Sequence, residues 1–282
     1  MKKLTQTILL GILTALLFSS FIYLEHYGIT NKLVNTLTGL GSLALFLYIP
    51  KRSILVAGFT IGLLWFYWIG YSFEYQGVGY MTPIITFAFG VIYLLFFLPL
   101  YFTNKAYIRA LLLFGLSFVE PFDWNWLQIE LLFVDSYIGV YKYQLAFTLV
   151  ALSSIQLLQK PYRFVPLLLL IVSFNYGYPV QDKAPLKIKL VQTDVKQEYK
   201  WTREALHPTV DMIFKEIANA TKDGYDLVVL PESVFPLYMN QNRELIERIK
   251  YASEDISIIV GALLREDMKS YNVTYLFQNR EY

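Results

Sequence analysis

One carboxylate stands where an open α/β sheet would place its chemistry. In Leu227-Val-Val-Leu-Pro-Glu232-Ser-Val-Phe-Pro236 a short apolar, β-branched run stops at Pro231, and Glu232 follows it. The run reads as a buried parallel strand, and in such sheets reacting groups gather at the C-terminal strand ends. A carboxylate there, read as partly desolvated beside Pro231 and Phe235, is the first candidate for chemistry in this chain. Cysteine nucleophiles, thiolate metal sites and disulfides are excluded within these 282 residues, which contain no Cys. The two histidines, His26 and His207, lie far apart in the chain and do not suggest a zinc site. No cofactor is expected.

The elements that must position Glu232 lie in residues 181–282. Lys187–Gln192 reads as a strand. From Thr202 to Ala220 the apolar residues Val210, Ile213, Phe214, Ile217 and Ala218 recur at helical spacing. His207-Pro208 interrupts the start of that pattern and suggests Pro208 as a first-turn residue. Asp226–Leu230 is the second strand, and Asn240–Ala252 a second helix with Leu245, Ile246 and Ile249 on one face and Asn240 as its cap. Ile256–Leu264 reads as a third strand, and Tyr271–Gln278 alternates like a fourth. The order β-α-β-α-β-β predicts an α/β layer, parallel first and antiparallel at the end. The apolar third strand asks for cover on both faces.

Residues 1–180 have a different character. The chain is 56% hydrophobic and 16% charged, where soluble domains carry about a quarter charged residues. Residues 1–180 hold 10 Lys/Arg and 6 Asp/Glu, against 14 and 16 in residues 181–282. The first region therefore reads as a membrane domain and the second as a soluble one, joined by a turn-rich linker at Tyr178–Pro185. The soluble region has no basic stripe, which argues against nucleic acid as a partner.

Seven apolar segments are read as transmembrane helices: Leu4–Leu24, Leu33–Ile49, Ser53–Tyr71, Pro83–Phe102, Ile108–Val119, Ile138–Leu158 and Phe164–Tyr176. The first is long for a signal peptide and lacks a small-residue cleavage site, so it reads as an uncleaved anchor. Trp65-Phe-Tyr-Trp68 and the stretch Glu120–Trp126 suit the headgroup region. With alternating loops, Lys2, Lys3, Lys51, Arg52, Lys105, Arg109, Lys160 and Arg163 share one side. Only Lys32 and Lys142 fall on the other, together with all six acidic residues. The positive-inside rule then puts the N-terminus in the cytoplasm and residues 181–282 in the periplasm of a bacterial inner membrane. The acidic residues fall in loops, so no proton relay inside the membrane is expected.

Several short pieces match one family together. Lys189-Leu-Val-Gln192, Lys200-Trp201, Leu230-Pro-Glu-Ser-Val-Phe-Pro236, Val260-Gly-Ala262 and Tyr271-Asn272 resemble, in order and spacing, the apolipoprotein N-acyltransferases. Their periplasmic domain belongs to the nitrilase, or carbon-nitrogen hydrolase, superfamily. The resemblance implies a multi-pass helical membrane domain over 1–180. It also implies that residues 181–282 are the N-terminal part of a nitrilase-like α-β-β-α sandwich. The implied partners are a membrane phospholipid as acyl donor and the N-terminus of an apolipoprotein as acceptor. The acyl chain would pass through a cysteine thioester to the amine of a diacylglyceryl-cysteine.

In the family's Glu-Lys-Cys site, the resemblance assigns the general base to Glu232. It brings Trp201 to the substrate, with a packing role as the alternative; Phe235 and Tyr238 are placed either at an acyl-chain entrance or in core or loop packing. The family's lysine and cysteine lie downstream of the Tyr-Asn strand. The sequence is accordingly expected to be C-terminally truncated and inactive alone. Two other readings stay open: a non-catalytic membrane-anchored nitrilase-like fragment or binding subunit, and a membrane-anchored carbon-nitrogen hydrolase. A transporter is a more distant alternative. Asn272-Val-Thr274 also fits an N-glycosylation pattern, read as chance in a strand.

Overall fold

A computed structural model describes residues 2–74, 77–177 and 185–282. All of the expected linker except Pro185 lies outside the described residues. The chain divides into two compact units, Met1–Pro179 and Val180–Tyr282. The first is a helical, membrane-type unit; the second carries a small mixed sheet.

In the first unit the helices are α1 (Lys2–Phe18), α2 (Ser20–His26), α3 (Lys32–Tyr48), α4 (Lys51–Phe66), α5 (Thr82–Tyr101), α6 (Ala106–Leu116), α7 (Lys142–Ser153) and the short α8 (Leu170–Ser173). A 3-10 turn, Tyr67–Phe73, prolongs α4, and another, Tyr162–Leu169, leads into α8. The expectation of seven membrane-length helices is corrected. Among the described residues two continuous helical stretches are long and apolar enough to span, Lys51–Phe73 and Gly79–Tyr101, each of 23 residues. A third exists only if α1 and α2, bent by 51°, count as one span. The other segments are apolar, but their helices are shorter. In the sixth, Ile138 bridges Phe174 and the Gly139 N–H donates to the Ser173 carbonyl at 2.9 Å, and the helix begins only at Lys142.

Small residues let α4 and α5 meet closely. A Cβ at Gly62 would stand 2.2 Å from the Phe89 carbonyl oxygen, and one at Gly58 would stand 3.0 Å from that of Tyr93. Backbones brought together by glycine are how helices associate where water supplies no driving force. Aromatics fill the remaining space: Phe18, Phe46 and Phe97 cluster, and Phe66 stacks on Phe89 at 4.8 Å. The loop after α6 turns back into this core, burying Leu127, Ile129, Leu132 and Phe133. The stretch Glu120–Trp126 is therefore only partly at the surface: Trp124 is exposed, whereas Trp126 packs near Phe66 and Phe89.

Among the described residues of this unit two charged side chains, Arg109 and Glu130, are buried, against expectation. Arg109 donates to the carbonyls of Phe46, Leu47 and Ile49, at 3.3, 3.1 and 2.8 Å, and to that of Thr103 at 3.0 Å. It thereby closes the C-terminal end of α3, whose last carbonyls have no helical partner. Glu130 pairs with Lys142 at 2.7 Å, and the Lys142 ammonium also donates to the Ser117 carbonyl.

The second unit orders its strands β1 (Ile188–Leu190), β2 (Leu227–Val229), β3 (Ser257–Glu266) and β4 (Lys269–Phe277). The first two pairings are parallel and the third is antiparallel. A short turn, α9 (Gln197–Lys200), precedes α10 (Arg203–Lys222), and α11 (Arg243–Ala252) precedes β3. Val210, Ile213 and Ile217 of α10 and Leu245, Ile246 and Ile249 of α11 form one core with Val228, Leu230, Ile258, Val260 and Ala262. Ala218, expected on that face, is exposed.

Two expected helix starts are corrected. Thr202, not the region of Pro208, caps α10 by accepting from the Ala205 N–H at 3.3 Å, and Pro208 sits inside the helix. Asn242, not Asn240, caps α11 by accepting from the Leu245 N–H at 3.0 Å. Asn240 instead clasps the Arg265 backbone through both ends of its amide, at 2.7 and 3.1 Å.

The opposite sheet face is open. Register aligns Leu190, Val229, Ile259 and Leu276 in one row across all four strands. Leu190 is 76% exposed and Leu276 51%. The β3–β4 hairpin closes through Asp267 and Met268, both left-handed at φ 47° and 64°. Such a pair fits the two-residue turn whose twist matches a hairpin, although glycine or asparagine adopts it with less strain.

Candidate functional site

Glu232 sits just past β2, where the ladder's last bond runs from the Leu230 N–H to the Ile259 carbonyl at 2.8 Å. Beyond it the chain turns sharply: Ser233 is left-handed, with φ 48°, and buried. Val234, Phe235 and Met239 then plug into the core. Those buried anchors fix the turn and leave the Glu232 side chain exposed. The expectation of a partly desolvated carboxylate is corrected accordingly, because the residue beside it that is enclosed is Phe235 and not Glu232.

Gly261 on β3 makes room for this arrangement. A Cβ there would lie 2.8 Å from the Glu232 Cα and 3.4 Å from its nitrogen. The hairpin partner strand supplies the second contact: the Asn272 Nδ2 donates to Glu232 Oε1. Among the described residues Oε2 has no hydrogen-bond partner, which leaves it free to accept a proton. The Lys200 ammonium donates to the Glu232 backbone carbonyl at 3.2 Å and lies 5.8 Å from the centre of the Trp201 ring. Glu232, Gly261, Asn272 and Thr274, with Val229, Leu230, Ile259 and Val273, line a cleft of ≈ 400 Å³. A cleft of that size is in the range of small-ligand sites.

The other expected residues fall at different distances from this centre. Trp201 is half exposed at the end of α9 and meets the site through Lys200. Phe235 is fully enclosed, so of the two places considered for it the core is the one it occupies. Tyr238 is half-buried; its hydroxyl lies 2.9 Å from Ser270 Oγ, and Arg265 lies over its ring at 5.6 Å. Asn272, Gly261 and Lys200 had no role assigned from sequence, though all three stand in the short motifs that carried the resemblance. Among the described residues no cluster of acidic and histidine side chains could hold a metal ion.

Lys189 on β1 forms an ion pair with Glu216 of α10 at 2.8 Å. The hydrogen bond it donates to that carboxylate holds its ammonium above the usual lysine range. Burial raises Tyr275, on β4, above the ordinary phenol value.

Helices of spanning length beside a mixed α/β unit with a carboxylate at a strand end define an integral membrane protein with an enzyme-like cleft. Residues 5–176 match the apolipoprotein N-acyltransferase integral membrane domain. The chain is 38% identical over 267 residues to the apolipoprotein N-acyltransferase of Wolinella succinogenes, covering 93% of this chain and 64% of that protein. Against the Helicobacter pylori protein of the same name the identity is 34% over 279 residues, covering 94% and 65%. For that of Campylobacter jejuni it is 32% over 274 residues, covering 94% and 61%. The chain belongs to the apolipoprotein N-acyltransferase family, a family of enzymes. It spans a little under two thirds of the length of these curated relatives.

Proposed function

We propose that this chain serves phospholipid:apolipoprotein N-acyl transfer in the maturation of bacterial lipoproteins, with Glu232 as the general base. In this reading Glu232 takes the proton of a cysteine thiol, and the thiolate attacks the ester carbonyl of a phospholipid. The tetrahedral intermediate collapses to a thioester and a lysophospholipid. The amine of a diacylglyceryl-cysteine then attacks the thioester, forming the amide and returning the thiol. These 282 residues contain no Cys, so in this reading the thiol comes from outside them. The observation that carries the proposal is the carboxylate anchored by Asn272 through one oxygen, with the other open to the cleft. A base held in one orientation by a neutral donor is what proton abstraction at a fixed point requires.

The same reading takes the second unit as part of a nitrilase-like α-β-β-α sandwich. Its support is the open sheet face, whose row of Leu190, Val229, Ile259 and Leu276 is the apolar surface that a second layer would bury. Trp201 and Tyr238, at the rim of the region, are proposed to contact substrate. Residues 181–282 are placed in the periplasm of the inner membrane. That assignment rests on the eight-to-two asymmetry of basic residues over alternating loops together with an odd number of crossings before residue 181. Reporter fusions at residue 185 test it, and activity confined to the cytoplasm would reverse it.

For the chemistry, these residues can be joined to the C-terminal region of the Wolinella succinogenes relative and thioester formation followed with a labelled phospholipid. Glu232→Gln is expected to slow it by at least about a hundredfold. Undiminished thioester formation would remove Glu232 from the role.

A further inference from the structure

Among the described residues one hydrogen bond ties the α9 turn to a part of the chain distant in sequence, and Lys200 makes it. Its ammonium donates to the Glu232 backbone carbonyl at 3.2 Å, across 32 positions. The other bonds of this segment are local. The Tyr199 and Lys200 N–H groups donate to the Lys196 carbonyl, Thr202 donates to that of Tyr199, and the Tyr199 hydroxyl reaches the Glu204 carbonyl at 3.3 Å. Among the described residues neither α9 nor Trp201 places a side chain in the core of the second unit. Burial therefore does not hold this segment where it is.

The Glu232 turn is held differently. Val234, Phe235 and Met239 anchor it in the core, Gly261 lets its backbone lie against β3, and Asn272 holds one carboxylate oxygen. None of these restraints reaches α9. The Glu232 carbonyl is thus a fixed acceptor, and α9 is the part whose place depends on the bond. The Lys200 ammonium is available for it, since among the described residues it has no carboxylate partner. It also lies 5.8 Å from the centre of the Trp201 ring, so one charge touches the backbone of the turn and faces the indole. An ammonium with three donors on a flexible stem can serve both.

We propose that Lys200 is a positioning residue for the acyl transfer, fixing where Trp201 stands relative to Glu232 and so where substrate lies against the base. The inference rests on the reading of Glu232 as base and Trp201 as a substrate contact, and adds the residue that makes the two act at one spot. Lys200 touches no reacting atom. Its effect runs through Trp201, because the Glu232 turn is already secured from the core. Small errors of placement far from the chemistry are costly to rate, which is why a single exposed bond can matter.

One arm of the test needs no activity. These 282 residues contain no Cys, so spin labels at Lys196→Cys, the cap of α9, and Tyr251→Cys on α11, both exposed, report one distance in the full chain in detergent by pulsed dipolar EPR. Lys200→Met should widen the distance distribution about twofold, and Lys200→Arg should keep it narrow. The second arm uses the chimera with the relative's C-terminal region. There Lys200→Met should lower kcat/KM for thioester formation about tenfold, and Lys200→Arg should restore it. In a Trp201→Ala background Lys200→Met should cost less than about twofold, the non-additivity that a role exercised through Trp201 requires. An unchanged distribution in Lys200→Met, or a loss of rate that persists in full without Trp201, would overturn the proposal. Glu232→Gln keeps the backbone carbonyl that accepts the bond, so its distance distribution should stay narrow. Failure of the base and failure of the positioning residue therefore show in different measurements.

Discussion

Both units leave large apolar side chains uncovered, but they do so in different patterns. In the helical unit they point outward all around, from Leu9 and Leu13 on α1 to Ile84 and Leu95 on α5 and Leu111 on α6. Every one of these residues lies on a helix, where the backbone satisfies its own hydrogen bonds. In the sheet unit exposed apolar groups line up across one face only, while the other face is packed by α10 and α11. The first pattern is that of a surface whose solvent is lipid. The second is that of a sheet packed on one face, with an apolar row left uncovered on the other. Hydrophobicity alone does not separate them; the backbone geometry beneath the side chains does.

The contrast can be broken most severely at the α4–α5 contact. Gly62→Val would drive a branched side chain into the Phe89 carbonyl, and loss of about 3 kcal/mol is expected, read as a fall in thermal unfolding midpoint in detergent. Arg109→Met comes next. It strips donors from four carbonyls around the end of α3 and should cost about 2 kcal/mol by the same measurement. In the sheet unit Gly261→Ala presses a methyl group toward the Glu232 Cα. It should cost about 1 kcal/mol while displacing the carboxylate, so the chimera's thioester rate should fall more than its stability does. The smallest effect should be at the open face. Leu276→Thr is expected to change stability in this chain by no more than about 0.5 kcal/mol. In the chimera with the relative's C-terminal region the same change should cost about 2 kcal/mol if the second layer proposed above covers the row. Equal costs in the two proteins would mean that the face is not an internal layer.

Much of the sheet unit was legible because its signals are local. The run Leu227–Val229 and the spacing of Leu245, Ile246 and Ile249 declare a strand and a helix without reference to anything distant. The short helices of the first unit were not. Ile138–Leu158 is apolar enough to read as one span, and nothing in its hydropathy reveals that the Gly139 N–H is tied to the Ser173 carbonyl or that Gln144 reaches back to the Tyr141 N–H at 3.0 Å. Glu130 was equally hidden, since a carboxylate in a loop looks solvated until Lys142 is brought to it. At the site, Glu232 could be found from its place after an apolar run. Asn272 could not be given a role, because its contact depends on a pairing between strands and not on its neighbours in sequence.

That pairing has one further consequence. Asn272 stands opposite Leu263 only because the turn at Asp267 and Met268 spends two residues and no more. Strand side chains alternate in direction, so a slip of a single residue would send Asn272 to the far side of the sheet and bring Tyr271 or Val273 in its stead. The orientation of the proposed base is thus a matter of counting. A left-handed turn made of two ordinary residues sets the count, and insertions or deletions there would act as an on–off switch on a carboxylate they never touch.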